Sequence, residues 1–492
     1  MKPAFAIYRP QNSEYSGGFE QLLRQEKAIY RVIDEKGNEA VTCFEGIFPD
    51  WAYDYVKEGG IAIVSGAGRY TFRFDTGYVS KAAVEYIDLK DFNEGKARIC
   101  SVVSAFTGEG KGELTFHENR TIKQGRRPGF YPVFLYKKYG KGTIIYSGVH
   151  IAGLLTLEGS DLRQTSERID FDERITSIDK CKLASALRQI LKEAMHMAGY
   201  PYVSLWYFPD GAASLFAYSI DGDGLLSEGL DNLIEVSELT NTKLLFYINR
   251  ELCGSDPEIR EKLERIAKTN LLGSHGSIHN AKDSYEDNLD DLKDVEEWVK
   301  SLGFVLDRTY AAPRGMYSHN LGRALKECGY RHSRDFGFSL NDYPYFPAWE
   351  GEFDTVLQIP CDGFNVCRLM GRHEEQGLPL PTTDEIIAFY KTLIDEKIEK
   401  NLPMLFFCHP QYFGLYAKKV YPVIVDYAKE KDAILSDYVS YGDFWLARDA
   451  CEYSLEEKDG KIEISVTKKD PHVCLCIDGK IFDIDEGDSL IL

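Results

Sequence analysis

The sequence predicts an α/β protein whose second half is a distorted (β/α) barrel. Three observations carry that prediction. From Ser214 onward, short apolar runs alternate with amphipathic stretches of helical period, about seven or eight times in about 230 residues. Runs such as Leu215-Phe216-Ala217-Tyr218-Ser219-Ile220 are almost wholly apolar, as strands covered on both faces of a parallel sheet must be. Acidic residues and histidines then gather directly after these runs, on the face where a βα barrel builds its active site.

The chain has 492 residues, more than one core holds, so about two to four domains are expected. Residues 1–155 read as a first α/β domain. Phe5 to Tyr8 is a short strand, Trp51 to Lys57 a short helix, and Ile61-Ala62-Ile63-Val64 a buried strand behind Gly59-Gly60. Gly140-Lys141-Gly142 turns into a second such strand ending at Ser147-Gly148. The phrase Tyr55 to Val64, taken with that later strand, resembles the glutamine-amidotransferase-like, flavodoxin-like α/β fold. The resemblance implies a nucleophilic Cys on a strained strand-to-helix turn, with His and Glu partners. No Gly-x-Cys-x-Gly occurs, and Cys43 and Cys100 lack the flanking glycines, so this domain is expected to bind or scaffold without catalysing. His117 and His150 read as ordinary loop histidines.

Residues 156–204 form a connecting segment with an amphipathic helix, in which Leu183, Leu187, Ile190, Leu191 and Ala194 recur at helical spacing. Residues 205–448 are the barrel. Its strands are expected at 215–220, 243–248, 270–273, 304–310, 330–334, 355–359 and 403–408. Its helices are expected at 229–239, 257–268, 285–302, 319–327, 384–399 and 417–430. Residues 449–492 read as a small β appendage: Lys461 to Val466 alternates, and Asp478-Gly479 signals a hairpin. The appendage is placed to pack on the barrel or to mediate a homo-oligomer.

Composition excludes some partners. Lysine and arginine total 58 against 78 acidic residues, a formal charge of −20, which repels nucleic acid and anionic membranes. No apolar run approaches the ~20 residues of a membrane span. The start, Met1-Lys2-Pro3-Ala4-Phe5, is interrupted too soon for a signal peptide. Eleven cysteines, an odd number without framework spacing, read as reduced thiols and a cytoplasmic location.

Four segments at predicted strand ends carry chemistry. In Asp221-Gly222-Asp223, two carboxylates flank a glycine; such groups need a metal, hydrogen bonds or solvent. An EF-hand is excluded, because Leu225 and Asn232 take ligand positions. In His275-Gly276-Ser277-Ile278-His279, two histidines at i and i+4 share one face of a helical turn, a chelating spacing. Ala311-Ala312-Pro313-Arg314-Gly315-Met316-Tyr317 is a rigid Pro-Gly loop. Pro403 to His409 is a buried strand ending in a histidine pinned by Pro410.

In this order the four segments resemble the polysaccharide deacetylases, a family of metal-dependent carbohydrate esterases, over about residues 205–445. The resemblance implies one divalent metal ion on Asp223, His275 and His279. The donor set suits Zn²⁺ and also accepts Co²⁺, Ni²⁺, Mn²⁺ or Fe²⁺. It further implies Asp221 as the base, His409 as the acid toward the leaving amine, and an N-acetylated carbohydrate as substrate. Pro313 and Tyr317 are expected on the substrate side. The third segment departs from the family: Ala311 stands where an arginine orients the base, with Arg314, Arg308 and Arg334 as the candidates to replace it. Arg314 occupies the position whose backbone amide serves the oxyanion. Asp335 is the candidate partner for His409 or for that arginine. Hydrolysis of another linear amide, or glycan binding by a catalytically impaired chain, are the alternatives.

Overall fold

The computed structural model describes residues 1–10, 16–66, 77–115, 130–156, 164–165, 174–175, 178–225, 227–280, 282–335, 342–349, 352–362, 366, 370, 377 and 379–492. The first half is built on a nine-stranded sheet of β1 (Lys2–Tyr8), β2 (Tyr30–Ile33), β3 (Glu39–Glu45), β4 (Ile61–Ser65), β5 (Tyr78–Asp88), β6 (Lys96–Phe106), β7 (Gly110–Thr115), β8 (Pro132–Tyr139) and β9 (Gly142–Ser147), in the order β2-β1-β3-β4-β9-β8-β7-β5-β6. The pairs from β2 to β9 are parallel, and those from β9 to β6 antiparallel.

The apolar runs Ile61 to Val64 and Thr143 to Tyr146 lie in the parallel part, as expected. The antiparallel part goes beyond the sequence reading. Its strands are not apolar throughout, because one face meets water: Val102 on β6 is 68% exposed. A continuous apolar run is the signature of a strand covered on both sides, and these strands lack it. The helix Lys180–Met197 lays Leu183, Leu187, Ile190, Leu191 and Ala194 into the same core as Ile7, Ile63 and Ile145.

Two short strands, β10 (Gln164–Thr165) and β11 (Arg174–Ile175), pair with each other, and β12 (Val203–Leu205) enters the second half. There follow β13 (Ser214–Gly222), β14 (Leu245–Ile248), β15 (Leu271–Ser274), β16 (Thr309–Ala311), β17 (His332–Asp335), the hairpin of β18 (Ala348–Trp349) and β19 (Glu352–Phe353), β20 (Leu357–Pro360), β21 (Met404–Cys408) and β22 (Ala433–Leu435). The main sheet runs β20-β17-β16-β15-β14-β13-β21, parallel throughout, and β22 adds beside the start of β13. Its two ends approach: the Asp362 amide, just past β20, donates to the Leu405 carbonyl of β21 at 2.8 Å. The result is a curved parallel half-barrel; most strands and helices lie close to the expected positions, but the strand expected at 304–310 is only Thr309–Ala311. The helix Tyr438–Asp449, capped by the Asp437 carboxylate accepting from the Ser440 amide at 2.8 Å, is a further element.

The tail forms β23 (Glu452–Lys458), β24 (Lys461–Lys468), β25 (Leu475–Ile477), β26 (Lys480–Phe482) and β27 (Ser489–Ile491). Asp478 and Gly479 adopt φ of 53° and 89°, the left-handed pair that a tight hairpin turn needs. β25 pairs with β12, so the tail returns to the entrance of the barrel. Buried charge joins the two halves. Arg448 donates to the carbonyls of Gln25, Glu26, Leu205 and Trp206, and Arg188 pairs with Glu26 at 2.8 Å and Asp342 at 3.1 Å. No helix among the described residues is long and apolar enough to cross a membrane.

Candidate metal centre

The centre lies where β13, β15 and β21 end. Along β13, alternation sends Ser219 and Asp221 to the same face, and Asp223 follows two residues on. The glycine between the two carboxylates has a steric reason: a Cβ on Gly222 would lie 2.7 Å from the Tyr247 carbonyl oxygen of the neighbouring strand.

His275 follows β15. Its Nδ1 sits 2.7 Å from the Ala311 carbonyl oxygen. A carbonyl only accepts, so Nδ1 carries the proton, and the Nε2 of the neutral ring presents a lone pair. That Nε2 faces Asp223 Oδ1 at 3.4 Å, and His279 Nε2 lies 3.2 Å from Asp223 Oδ2. Asp223 Oδ1 is buried and receives no hydrogen bond. A buried carboxylate oxygen against an imidazole lone pair is two acceptors facing each other, an arrangement that a cation resolves. The donor atoms of Asp223, His275 and His279 all lie within 4.8 Å of one another. One oxygen and two nitrogens, with the His275 ring oriented by a backbone carbonyl, fit a divalent cation of the zinc type.

The two histidines are not on a helical turn, as their spacing suggested. Residues 275–280 are a bent loop in which Gly276 has φ of 76°. Carboxylates capture the amides that a helix would have used. Asp291 accepts from Ser277 at 3.0 Å and Ile278 at 2.9 Å, and Glu251 accepts from His279 at 2.7 Å. The Asn249 side-chain amide fixes the entry by donating to the His275 and Gly276 carbonyls. Nothing local in the sequence marks these supports.

His409, at the end of β21, joins the group: its Nε2 lies 3.2 Å from Asp223 Oδ2 and 3.9 Å from Asp221 Oδ2. Beside it, Gln411 donates to the Asp223 carbonyl at 3.1 Å. Among the three arginine candidates, Arg334 reaches the base. Its Nη2 pairs with Asp221 Oδ1, and its Nη1 donates to Ser219 Oγ at 3.1 Å. Arg308 instead pairs with Glu296 and the Cys328 carbonyl. Arg314 is exposed, in a left-handed conformation with φ of 56°, and its backbone amide donates to no group among the described residues.

The remaining candidates fall elsewhere. Asp335 alternates with Arg334 to the other face of β17, where its carboxylate accepts from Ser333 Oγ at 3.2 Å. Tyr317, expected on the substrate side, is 1% exposed and donates its hydroxyl to Asp354 at 2.9 Å. It packs with Tyr310, Leu321 and Tyr345, because a tyrosine serves a core as readily as a cleft. Pro313 is buried and opens the short turn Pro313–Gly315. His150 lies at the end of β9 in the other sheet and accepts the Gly153 amide at 2.9 Å. His117, and Phe336 to Phe338 beyond Asp335, lie outside the described residues.

No protein-family model matches the sequence, and no curated protein matches it either. Solved structures do show similarity. A candidate polysaccharide deacetylase from Mycobacterium smegmatis is 15% identical with a TM-score of 0.43, over 52% of this chain and 98% of that one. The chitin deacetylase of the fungal pathogen Colletotrichum lindemuthianum is 14% identical with a TM-score of 0.35, over 48% and 90%. A further carbohydrate deacetylase, described as novel, is 10% identical with a TM-score of 0.42, over 99% of this chain and 98% of that one.

Proposed function

We propose that this chain is a metal-dependent hydrolase that removes N-acetyl groups from a carbohydrate. The observation that carries the reading is the Asp223–His275–His279 cluster, with its buried, donorless carboxylate oxygen facing an imidazole lone pair. Zn²⁺ is the metal we assign to it. A divalent cation held there acidifies a water molecule and polarises an acyl oxygen. Asp221, held by Arg334, accepts the proton that the attacking water gives up. The unpaired Arg314 amide donates to the oxygen on which charge develops. His409 gives a proton to the departing nitrogen. The pairing of Arg334 with Asp221 supports catalysis over a purely glycan-binding role, because it supplies the guanidinium that Ala311 removes. The first domain acts as a scaffold in this reading.

The test is acetate release from a panel of N-acetylated oligosaccharides and sugar nucleotides, with Zn²⁺, Co²⁺ or Mn²⁺ added. Metal-dependent acetate from at least one substrate is expected. Release of another acid from a different linear amide, without acetate, would move the assignment to that amide. A metal-loaded chain inert on both would overturn it.

A further inference from the structure

β16 ends at Ala311, whose carbonyl holds the His275 ring, and the chain then runs through the Pro313–Gly315 turn into the helix His319–Glu327. A helix that follows a parallel strand starts from the strand's carboxyl end, so His319 opens its helix at the same end of the barrel as the metal centre. Its Nδ1 lies 3.0 Å from Asp354 Oδ1, and Tyr317 donates to Asp354 Oδ2 at 2.9 Å. Gly322, one turn into the helix, leaves room for this carboxylate: a Cβ there would lie 2.8 Å from Asp354 Oδ2. Asp354 is 7% exposed, an internal anchor rather than a surface charge. A carboxylate only accepts, so Nδ1 of the neutral ring carries the proton, and Nε2 keeps a lone pair. That Nε2 makes no hydrogen bond among the described residues.

Trp349, on the β18–β19 hairpin, stacks on this ring, with centroids 5.6 Å apart and planes 11° apart. Both side chains are partly exposed. The first domain braces the segment that carries Trp349. Gln21 accepts the Ala348 amide at 3.0 Å, Gln25 donates to the Tyr343 carbonyl at 2.9 Å, and the Arg24 guanidinium carbon lies 3.9 Å from the Phe346 ring centre. These three residues stand at i, i+3 and i+4 on the helix Gly18–Glu26, so one helical face holds the hairpin. A pyranose has an apolar C–H face and hydroxyls around its edge. A half-exposed aromatic pair held in place, with an oriented acceptor nitrogen beside it, matches both features.

We propose that Trp349 and His319 form a sugar subsite, which takes one pyranose unit of the same glycan whose N-acetyl group lies at the metal. The proposal rests on the reading of the barrel as a carbohydrate deacetylase. Trp349 covers the C–H face, His319 Nε2 accepts from a hydroxyl, and Asp354 positions the imidazole. The substrate class is then an oligosaccharide or polysaccharide, in preference to a single N-acetyl sugar or a sugar nucleotide. The first domain contributes by fixing the hairpin.

The experiment uses the zinc-loaded full chain with Asp221→Asn to slow turnover. Its probes are N-acetylglucosamine and N-acetylgalactosamine oligosaccharides from one to six units, and affinity is read by calorimetry. Affinity for one of the two series is expected to rise about tenfold from monosaccharide to oligomer. Adding Trp349→Ala should remove that rise, leaving monosaccharide affinity and zinc content unchanged. Trp349→Phe, which keeps a ring, should retain most of it, and His319→Ala should weaken oligomer binding about fivefold. Affinity independent of length, no binding of either series, or oligomer binding unchanged by Trp349→Ala would overturn the proposal. Acetate release by the wild-type chain alongside any of those results leaves the hydrolase reading standing. Length-dependent binding that Trp349→Ala abolishes, without acetate from the wild-type chain, sinks the hydrolase reading and leaves the subsite.

Discussion

Both halves of the molecule carry a parallel sheet whose strands end in polar residues, yet the two edges are chemically unlike. At the edge of the first sheet, Glu45 ends β3, buried, and accepts from the Ser16 amide at 2.9 Å and from the Ser16 hydroxyl. Ser65 ends β4 and accepts the Ala152 amide at 3.1 Å, and His150 accepts the Gly153 amide. Each of these side chains is engaged with its own backbone or a neighbouring hydroxyl. At the barrel edge, Asp223 presents a buried oxygen with no donor, and His275 turns a lone pair toward it. Internal satisfaction is the mark of a structural edge, and facing acceptors are the mark of a place for a cation. Position at a strand end does not separate the two; the hydrogen-bond accounting does.

The largest effects should break this contrast at the barrel. His275→Ala should lose both bound metal and turnover, since it removes a donor atom and the ring that the Ala311 carbonyl orients. Asp221→Asn should keep the metal and lower kcat by about 10²–10⁴-fold, the range for removing a general base. Retention of near-wild-type rates would show that the base lies elsewhere. His409→Gln should lower kcat by up to about a hundredfold with zinc content unchanged, read against amide substrates with better and worse leaving groups. The smaller effects sharpen the contrast from the other side. Glu45→Gln should leave kcat and zinc content alone and lower stability by about 1–3 kcal/mol in urea unfolding, the cost of disturbing a buried acceptor. His150→Ala should change stability by only about 1 kcal/mol and leave activity intact.

The sequence made legible what depends on local pattern. The barrel strands were readable because strands covered on both faces must be apolar, and β13, β14 and β21 are buried along their whole length. The order of Asp221, Asp223, His275, His279 and His409 was readable for the same reason: each follows such a run. What depends on partners distant in sequence was not readable. The loop at His275 bends because Asp291 and Glu251 capture its amides, and its spacing alone suggested a helical turn. The choice of Arg334 over Arg314 and Arg308 follows from register between β16 and β17, which no local pattern encodes. Tyr317 turned inward to Asp354, and the half-exposed strands β5 to β7 lacked the continuous apolar run that marked the others.

The central claim is that Asp223, His275 and His279 hold one metal ion. The most direct measurement is the metal-to-protein ratio by elemental analysis, after loading with Zn²⁺ and removing free ion, for wild type, Asp221→Asn, His150→Ala and His275→Ala. The account predicts about one equivalent in the first three and loss in His275→Ala. Less than about 0.2 equivalents in a folded wild-type chain, or equal retention in His275→Ala, would contradict it.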